Sequence, residues 1–513
     1  MRYLIFLLIV SSISFGGNLA PELQAILDTL SPSMKTPVTT HLTEQGDLSI
    51  FPEGTPREEK IVYLKSIAEK TQAPILTYLN SEGNNVENIK SFWLTNCIAF
   101  SATADVIITI AQREDIDYVI DDYIVHLDVE PGEDMPDPEW NIQKVEATTC
   151  WTFGYTGAGI LVGNLDSGVE VDHPALQGKW RSTNGWFDAV NGQSSPYDDH
   201  VDSHGTHTMG IICGGDGPGP FEHDIGVAPG VSFICAKVLD SEGNGQTSWI
   251  RAGFNWVAGL SEPPDVLSNS WRDYARNSTE FWGDCLNLKN LGIILVFAIG
   301  NEGSAPGTSF PPGSFPIVIG TGATYSNDDI RETSSRGSAP DEPNWRNSSY
   351  WPRLDWDRIN PAISAPGVNI NSSVRGGDYA PHSGTSMACP HVAGCVALML
   401  QKNHNLGYNL VFNLITDNAD HPSQGGSYPN NDYGWGRLNC FRALRLTPGP
   451  SNPNFQVDNL IKNWWKPASA YIGNNQYSTG REQYEYQYTD PVNLIPITFL
   501  TLRYIISKLK TMA

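Results

Sequence analysis

Short apolar runs and longer helical patterns alternate through the middle of this 513-residue chain. Runs that are apolar at nearly every position are typical of strands buried on both faces of a parallel sheet. Such strands are predicted at residues 160–165, 231–239, 266–270, 293–299 and 316–320. Apolar residues at helical spacing lie at 249–260, 281–291, 385–402 and 407–418. This order predicts an α/β domain: a doubly wound, mostly parallel sheet with right-handed crossovers.

A smaller unit with mixed patterns precedes that domain. Its predicted elements are an extended segment at 61–63, a helix at 64–71, strands at 75–79 and 92–102, a helix at 104–111 and a last strand at 118–125. Helices that alternate with short strands predict a small α+β fold.

Two stretches rich in proline divide the chain. Residues 130–139 combine prolines, a glycine and acids, which predicts an exposed linker open to cleavage. Residues 447–453 form a second linker. The tail beyond it holds Trp464, Trp465 and many tyrosines, and a fragment of an accessory domain and a surface-binding segment both stay open. Its last apolar stretch, 492–509, is interrupted by Pro496 and Arg503, which argues against a membrane span.

Charge and the N-terminus narrow the setting in which the protein works. The formal net charge is -24, and a sequence pI near 4.7 agrees with it. Such acidity disfavours nucleic acid and anionic membrane surfaces as partners. Met1 and Arg2 precede an apolar stretch and then small residues through Ala20, the order of a secretory signal. We therefore expect a secreted, extracellular protein that meets the membrane only during export.

Eight cysteines are spread along the chain without a CxxC pair. Some disulfides are compatible with export, but no pairing is predicted. Cys389 and Cys395 are expected on one helix, about 9 Å apart and too far for a bridge. Removal of a segment containing Cys97 would leave an odd number.

Two candidate reactive groups follow predicted strands or begin helices. Asp166 ends a strand, at the sheet edge where α/β sites lie. His204 stands in DSHGTHTMG at the start of an apolar helix. Taken alone, Asp166 reads as a turn residue. Zinc is disfavoured because the HxxH spacing of His204 and His207 lacks the HExxH glutamate.

Two further segments complete the pattern. Ser386 lies in HSGTSMACPHVAG, where it is either a helix cap or a hydroxyl facing a cleft with its own N–H aimed at a developing oxyanion. Gly384 would let a substrate backbone approach closely. Asn301 follows a strand, and its amide is either a second oxyanion donor or a left-handed turn residue. The order Asp, His, Asn, Ser favours the reactive alternative throughout.

These motifs resemble those of the subtilisin-like serine proteases from about Glu139 to Leu446. GTSMACPHVAG differs from the usual form by Cys389 in place of alanine, and NLDSGV by Ser167 in place of threonine. The segments 186–192 and 268–271 resemble the bacillopeptidase branch in particular. Residues 60–129 resemble the family's inhibitory propeptide, which implies a ferredoxin-like α+β fold and an intramolecular inhibitor. The domains expected are a signal peptide at 1–20, propeptide and cleavable linker at 21–138, catalytic domain at 139–446, and linker and tail at 447–513.

The resemblance implies roles for these residues. His204 would be the general base, Asp166 would orient it, Ser386 would attack the peptide carbonyl, and Asn301 with the Ser386 N–H would hold the oxyanion. The substrate-binding residues implied are Ser270, Trp271, Arg272, Ala298, Ile299, Gly300 and Gly384. The enzyme would cleave proteins or peptides as a self-processing zymogen, with self-cleavage in the linker after Val129.

The resemblance also bears on one unusual residue and on cofactors. Arg272 stands where glycine is usual; it would favour acidic substrate side chains, crowd the groove or point to solvent, and we expect the last. No cofactor is required for the chemistry. Structural calcium occurs in relatives, yet Asp198, Asp199 and Asp202 make no recognisable calcium loop.

Two other functions compete with a protease. A catalytically silent scaffold with an aromatic tail for binding is disfavoured because all four chemical groups are retained. A non-proteolytic serine hydrolase is disfavoured because the GxSxG motif is absent and an inhibitory prodomain suits a protease.

Overall fold

The computed structural model describes residues 19–127, 130–133, 139–215 and 224–450. Most of the predicted signal peptide, the bonds around Val129, part of the first linker and nearly all of the C-terminal tail lie outside the described residues. The domain boundaries drawn from the sequence stay predictions. Among the described residues, no helix has the length and apolar character that crossing a bilayer requires.

The N-terminal subdomain, residues 19–127, is a four-stranded antiparallel sheet with two main helices. Its elements are α1 (Pro21–Leu27), β1 (Lys35–Leu42), α2 (Arg57–Ser81), β2 (Val86–Phe92), β3 (Cys97–Thr103), α3 (Ala104–Ala111), β4 (Ile116–Asp121) and β5 (Ile124–His126). The sheet order is β2-β3-β1-β4 with antiparallel neighbours. The βαββαβ order of β1 to β4 with α2 and α3 gives the ferredoxin-like fold that the sequence resemblance implied.

Three predicted elements of this subdomain are wrong. The single strand predicted at 92–102 is the end of β2, a turn and most of β3. Residues 61–63 and 75–79 both belong to α2, which continues through Pro74. Leu64, Ile67, Ile75 and Leu79 are buried along one side of this helix, and their spacing is helical over its whole length. In a short window, β-branched residues look strand-like, whereas packing of the complete row decides the structure.

The main domain, residues 139–450, follows a short strand β6 (Glu130–Pro131). Its elements are α4 (Trp140–Lys144), α5 (Ala147–Thr152), β7 (Leu161–Asp166), β8 (Trp186–Asp188), α6 (His204–Cys213), β9 (Ser232–Lys237), β10 (Asn244–Gln246), α7 (Thr247–Gly259), β11 (Val266–Asn269), α8 (Trp282–Asn290), β12 (Ile294–Ala298), β13 (Ile319–Thr324), α9 (Pro343–Arg346), β14 (Ile363–Pro366), β15 (Ile370–Val374), β16 (Asp378–Ser383), α10 (Thr385–Lys402), α11 (Tyr408–Asp417) and α12 (Cys440–Leu446).

Seven parallel strands form the sheet of the main domain, in the order β14-β13-β12-β11-β7-β9-β8. The predicted doubly wound α/β fold is confirmed. Strand order reverses direction around β7, which has β11 on one side and β9 on the other. Ligands of such sheets bind beyond the carboxyl ends of the strands at this reversal.

Helix α10 lies at the centre of the main domain. Every residue from Thr385 to Leu400 is buried, and the helix packs against α6 and strands β11 to β14. A helix that is apolar on all sides belongs in the interior of a large domain. The site residue at its start is therefore held by a helix that is buried along nearly its whole length.

All eight cysteines are buried and free. Cys389 and Cys395 lie on α10, as the sequence predicted. Burial raises the pKa of the Cys97 and Cys213 thiols to about 12, so they are weak nucleophiles at neutral pH.

Candidate active site

Asp166 is the last residue of the central strand β7 and is fully buried. Its Oδ1 accepts hydrogen bonds from Ser167 N and from His204 Nδ1, each at 2.7 Å. Thr208 Oγ1 lies 3.4 Å from the other carboxylate oxygen. A buried carboxylate that keeps its charge needs such donors, and here one of them is an imidazole.

His204 begins α6 and is also fully buried. Close approach of α6 to the end of β7 requires glycine next to it: a Cβ at Gly205 would lie 2.0 Å from Gly168 O. Burial lowers the pKa of the His204 imidazole, but attraction to the Asp166 charge and the hydrogen bond that His204 donates to Asp166 outweigh burial, and the pKa is raised from 6.5. Among the described residues, His204 Nε2 has no hydrogen-bond partner. Asp166 thus fixes the tautomer and leaves Nε2 as the basic nitrogen.

Ser386 lies in the first turn of α10 and is buried. Its Oγ donates to Ser270 O at 3.1 Å, and Ser270 Oγ donates to Ser386 O at 2.9 Å. Ser270 directly follows β11, the neighbour of β7, so Ser386 lies at the same sheet edge as Asp166. Within the described residues no hydrogen bond joins Ser386 Oγ to His204. Such bonds are often long in enzymes without substrate and tighten in the complex.

Asn301 follows β12 by a short loop at this edge. Its Oδ1 accepts from Thr385 N at 2.9 Å and from Thr385 Oγ1 at 3.2 Å. Because the carbonyl side of the amide faces the start of α10, the Nδ2 group lies on the opposite side of the amide. Asn301 is therefore held by the residue that precedes Ser386, and its donor is fixed relative to the serine.

The chain itself lies across this site as an extended peptide. Strand β5 pairs antiparallel with β10, and Leu127 N donates to Gly243 O at 3.1 Å. On its other side, His126 pairs antiparallel with Arg272. After a two-residue gap in the described chain, Glu130 and Pro131 pair with Ser383 and His382 of β16. Arg272, one of the predicted substrate-binding residues, is thus paired with an extended peptide that belongs to the chain itself.

The remaining predicted binding residues are either buried apolar residues or glycines. Trp271 is buried among Phe254, Phe281 and Phe297, so its side chain stabilises the core. Ala298 and Ile299 are likewise buried. Gly300 has a φ of +104°, and a Cβ there would lie 3.1 Å from Arg272 Cδ. Gly384 precedes α10, and its N–H donates to Gly367 O at 2.7 Å.

The expectation that Arg272 points to solvent is wrong. Its side chain is only 15% exposed and forms an ion pair with Glu302. The guanidinium carbon lies 4.6 Å from the centre of the Phe310 ring. Phe310 and Glu302 come from the loop after β12, far from Arg272 in sequence, so local pattern could not indicate this direction.

Two residues near the site were not singled out by sequence. Asp198, weighed only as a calcium ligand, is buried and accepts hydrogen bonds from Ser167 Oγ, His200 N and both donors of Thr206. The His200 ring centre lies 6.1 Å from that of His204. Burial lowers the pKa of His200 to about 4, so it stays neutral beside the candidate base. In the sequence, only their position within a few residues of His204 indicated that they lie near the site.

Other acids and histidines of this region have partners within the protein. Asp199 forms a 2.5 Å ion pair with the buried Lys237. His207 Nε2 lies 3.0 Å from the carbonyl oxygens of Ile370 and Ala380. In the parts of the chain that the structure covers, no three His, Cys, Asp or Glu side chains are grouped as a metal site requires.

Comparison with known proteins agrees with this architecture. A sequence model of the subtilase family matches residues 157–436. Bacillopeptidase F of Bacillus subtilis is 32% identical over 444 residues, which cover 78% of this chain and 29% of that protein. Subtilisin E of Bacillus subtilis is 31% identical over 354 residues, 68% of this chain and 81% of the relative. Subtilisin of Bacillus pumilus is 35% identical over 269 residues, 52% and 85% of the two chains.

These matches confirm the resemblance seen in the motifs, including the bacillopeptidase branch. The chain spans under a third of bacillopeptidase F and most of the shorter subtilisins. By its motifs, its parallel sheet and these relatives, the chain belongs to the subtilase family of serine peptidases.

Proposed function

We propose that the protein is a secreted serine endopeptidase that cleaves peptide bonds through an acyl-enzyme on Ser386. The observation that carries the proposal is the 2.7 Å hydrogen bond between His204 Nδ1 and the buried Asp166. It lies at the sheet edge where Ser386 begins α10 and where an extended peptide already occupies the groove.

The proposed reaction begins with proton transfer. His204 Nδ1 donates to Asp166, so Nε2 accepts the Ser386 hydroxyl proton as Oγ forms a bond with the peptide carbonyl carbon. The imidazolium then gives that proton to the leaving amine as the C–N bond breaks, and water repeats the sequence to release the acid. Asp166 stabilises the imidazolium, in keeping with the raised pKa of His204.

Negative charge on the carbonyl oxygen is placed between two donors in this proposal. One is the Nδ2 group of Asn301, positioned by Thr385. The other is the backbone N–H of Ser386 in the first turn of α10, where helix N–H groups lack intrahelical acceptors. Removal of one such side-chain donor costs about 10²–10³ in kcat, a figure measured on subtilisin itself.

We infer further that the N-terminal subdomain is an intramolecular inhibitor and folding aid. Its strand β5 occupies the groove through backbone hydrogen bonds. Its Asp122 caps the start of α7, accepting from Thr247 Oγ1 at 2.6 Å, Ser248 N at 2.7 Å and Ser248 Oγ at 2.5 Å. An acidic cap stabilises a helix N-terminus, which supports assistance in folding of the main domain.

Self-processing is proposed between Leu127 and Glu130. The described chain pairs with β10 before this interval and with β16 after it, and Ser386 belongs to the turn that follows β16. Export rests on the order of residues 1–20 alone. The chemistry calls for no cofactor.

The test is labelling of the processed protein with a fluorophosphonate, followed by peptide mass mapping and N-terminal sequencing. We expect modification of Ser386 only, none in a Ser386→Ala variant, and a new N-terminus between residues 128 and 130. Folded, processed protein that takes no label would contradict the enzyme and favour a silent scaffold.

A further inference from the structure

Arg272 pairs with the chain's own extended peptide at His126, and its side chain lies toward the loop after β12. Its side chain lies against Phe310 and Gly300 and forms an ion pair with Glu302. Glu302 is the more exposed partner, 38% against 15%. A positive charge is therefore held in a partly enclosed place, while its counter-ion can turn toward water.

The register identifies which substrate residue this charge meets. His126 lies opposite Arg272 in an antiparallel pair. In the same register, a peptide residue two positions after the one opposite Arg272 lies opposite Ser270. Ser386 Oγ donates a hydrogen bond to Ser270 O. The residue opposite Ser270 is thus the one whose carbonyl is beside the nucleophile.

Strand geometry brings the side chain of that residue toward the guanidinium. Residues two apart on an extended peptide face the same side, and diagonal neighbours of an antiparallel pair lie about 7–8 Å apart, within reach of a long side chain. The arginine fork presents donors on more than one edge, so it can bind a second carboxylate while Glu302 stays near or moves into solvent.

We propose that Arg272 is a specificity-determining residue that makes the enzyme cleave after acidic residues. This inference rests on the proposed function. The chain's own sequence agrees: the residue two positions after His126 is Asp128, which lies outside the described residues. The chain would then be its own first acidic substrate, cut between Asp128 and Val129.

The test uses fluorogenic peptides Ile-Val-His-Leu-X, with X as Asp, Glu, Asn, Leu or Lys, and the processed enzyme. We expect kcat/KM for Asp to exceed that for the isosteric Asn by roughly 10- to 100-fold, the range for hydrogen bonds to charged groups. In Arg272→Gln this ratio falls to about one. Arg276→Gln is the matched control, because it removes the same charge four residues along, where the side chain donates to Ser338 O instead.

Glu302→Gln provides a change of opposite sign. Loss of the competing carboxylate raises the Asp-to-Asn ratio, whereas a site governed by Glu302 would prefer Lys and lose that preference in this variant. An unchanged ratio in Arg272→Gln, or a Lys preference in the wild type, overturns the inference. Fluorophosphonate labelling of Ser386 in each sample separates these outcomes from failure of the proposed enzyme.

A second measurement keeps the inference testable where Arg272→Gln fails to mature. Self-processing rates are compared for the wild type, Asp128→Asn, Arg272→Gln and the double variant. We expect Asp128→Asn to slow processing by at least tenfold in the wild type but to have little effect when Arg272 is absent. Equal slowing in both backgrounds overturns the inference.

Discussion

The N-terminal subdomain contacts the main domain in two zones that differ in what makes them. In the ladder contact, residues 124–127 lie against 243–246 and Arg272 through main-chain hydrogen bonds. In the side-chain contact, His41, Thr95 and Asp122 bind polar groups at the start of α7 and around α8. Main-chain hydrogen bonds can form with peptides of many sequences, whereas buried side-chain hydrogen bonds require particular residues.

The side-chain contact has a charged centre. Glu280 is buried and lies 2.9 Å from both His41 Nε2 and Arg251 Nη2, while Tyr118 donates to it at 3.1 Å. Burial alone would raise the pKa of Glu280, but His41 and Arg251 together lower it, so it stays charged. Under the proposed function the two zones have separate tasks: the ladder would take the place of a substrate peptide, and the charged centre would make the contact specific for this subdomain.

The largest effect is expected when the proposed cleavage between the two zones is prevented. Ser386→Ala removes the attacking oxygen, so the chain stays continuous between the two zones. Activity on peptides falls by roughly 10⁶-fold, the size of the effect in subtilisin. Gel electrophoresis would show only the unprocessed chain. A processed band in this variant, expressed in a protease-deficient host, would contradict self-cleavage.

The second prediction compares a substitution in the side-chain contact with one in the ladder contact. His41→Ala removes a buried bond to a charged partner, so the processed subdomain leaves the main domain more easily, by roughly 10- to 100-fold in dissociation constant. His126→Ala is the matched control, since β5 binds through its backbone and the side chain of His126 is exposed. The rate at which activity appears after processing measures both. Equal effects of the two changes would erase the distinction.

The third prediction concerns pH near the ladder contact. Because the pKa of His204 is raised from 6.5, the base becomes protonated, and inactive, at a pH above that of an ordinary histidine. We expect kcat/KM to fall about tenfold per pH unit on the acidic limb, with an apparent pKa above 6.5. A pH–rate profile of the processed enzyme checks this. A limb centred below 6.5 would show that burial, not Asp166, controls the imidazole.

The smallest effect is expected from the helix cap in the side-chain contact. Asp122→Ala leaves the start of α7 without its acceptor and costs about 1 kcal/mol, within the 0.5–2 kcal/mol typical of caps. Urea unfolding of the unprocessed Ser386→Ala chain measures it, with Asp117→Ala, an exposed acid of β4, as control. The processed enzyme, which lacks Asp122, should show no difference. Equal midpoints for the two unprocessed variants would argue against capping.

Sequence predicted the main domain better than the subdomain, for a physical reason. Central strands such as β7, β9 and β12 are buried on both faces, so their apolar runs define them within a few residues. β13 lies slightly later than predicted, at Ile319–Thr324, because the apolar run begins before the pairing does. The strands β14 to β16 escaped notice, since serine, proline and asparagine interrupt their patterns.

Part of the candidate site could also be predicted from the sequence. Asp166, His204, Asn301 and Ser386 carry motifs, and each lies at a strand end or helix start, so the sheet edge that gathers them could be inferred. The direction of Arg272 could not, because Gly300, Glu302 and Phe310 determine it from a distant loop. β1 was missed for a similar reason: its threonines are polar although they are buried, and its neighbours in the sheet, β3 and β4, come from distant parts of the chain.

The extended segment that crosses the groove has a consequence for timing. While the peptide chain is intact, the proposed inhibitor is tethered beside its site at a high effective concentration, independent of how much protein is present. Under the proposed processing, that tether is lost and release becomes a two-molecule equilibrium governed by the side-chain contact. Dilution after export would then start activity, and a concentrated pool inside a narrow compartment would stay silent.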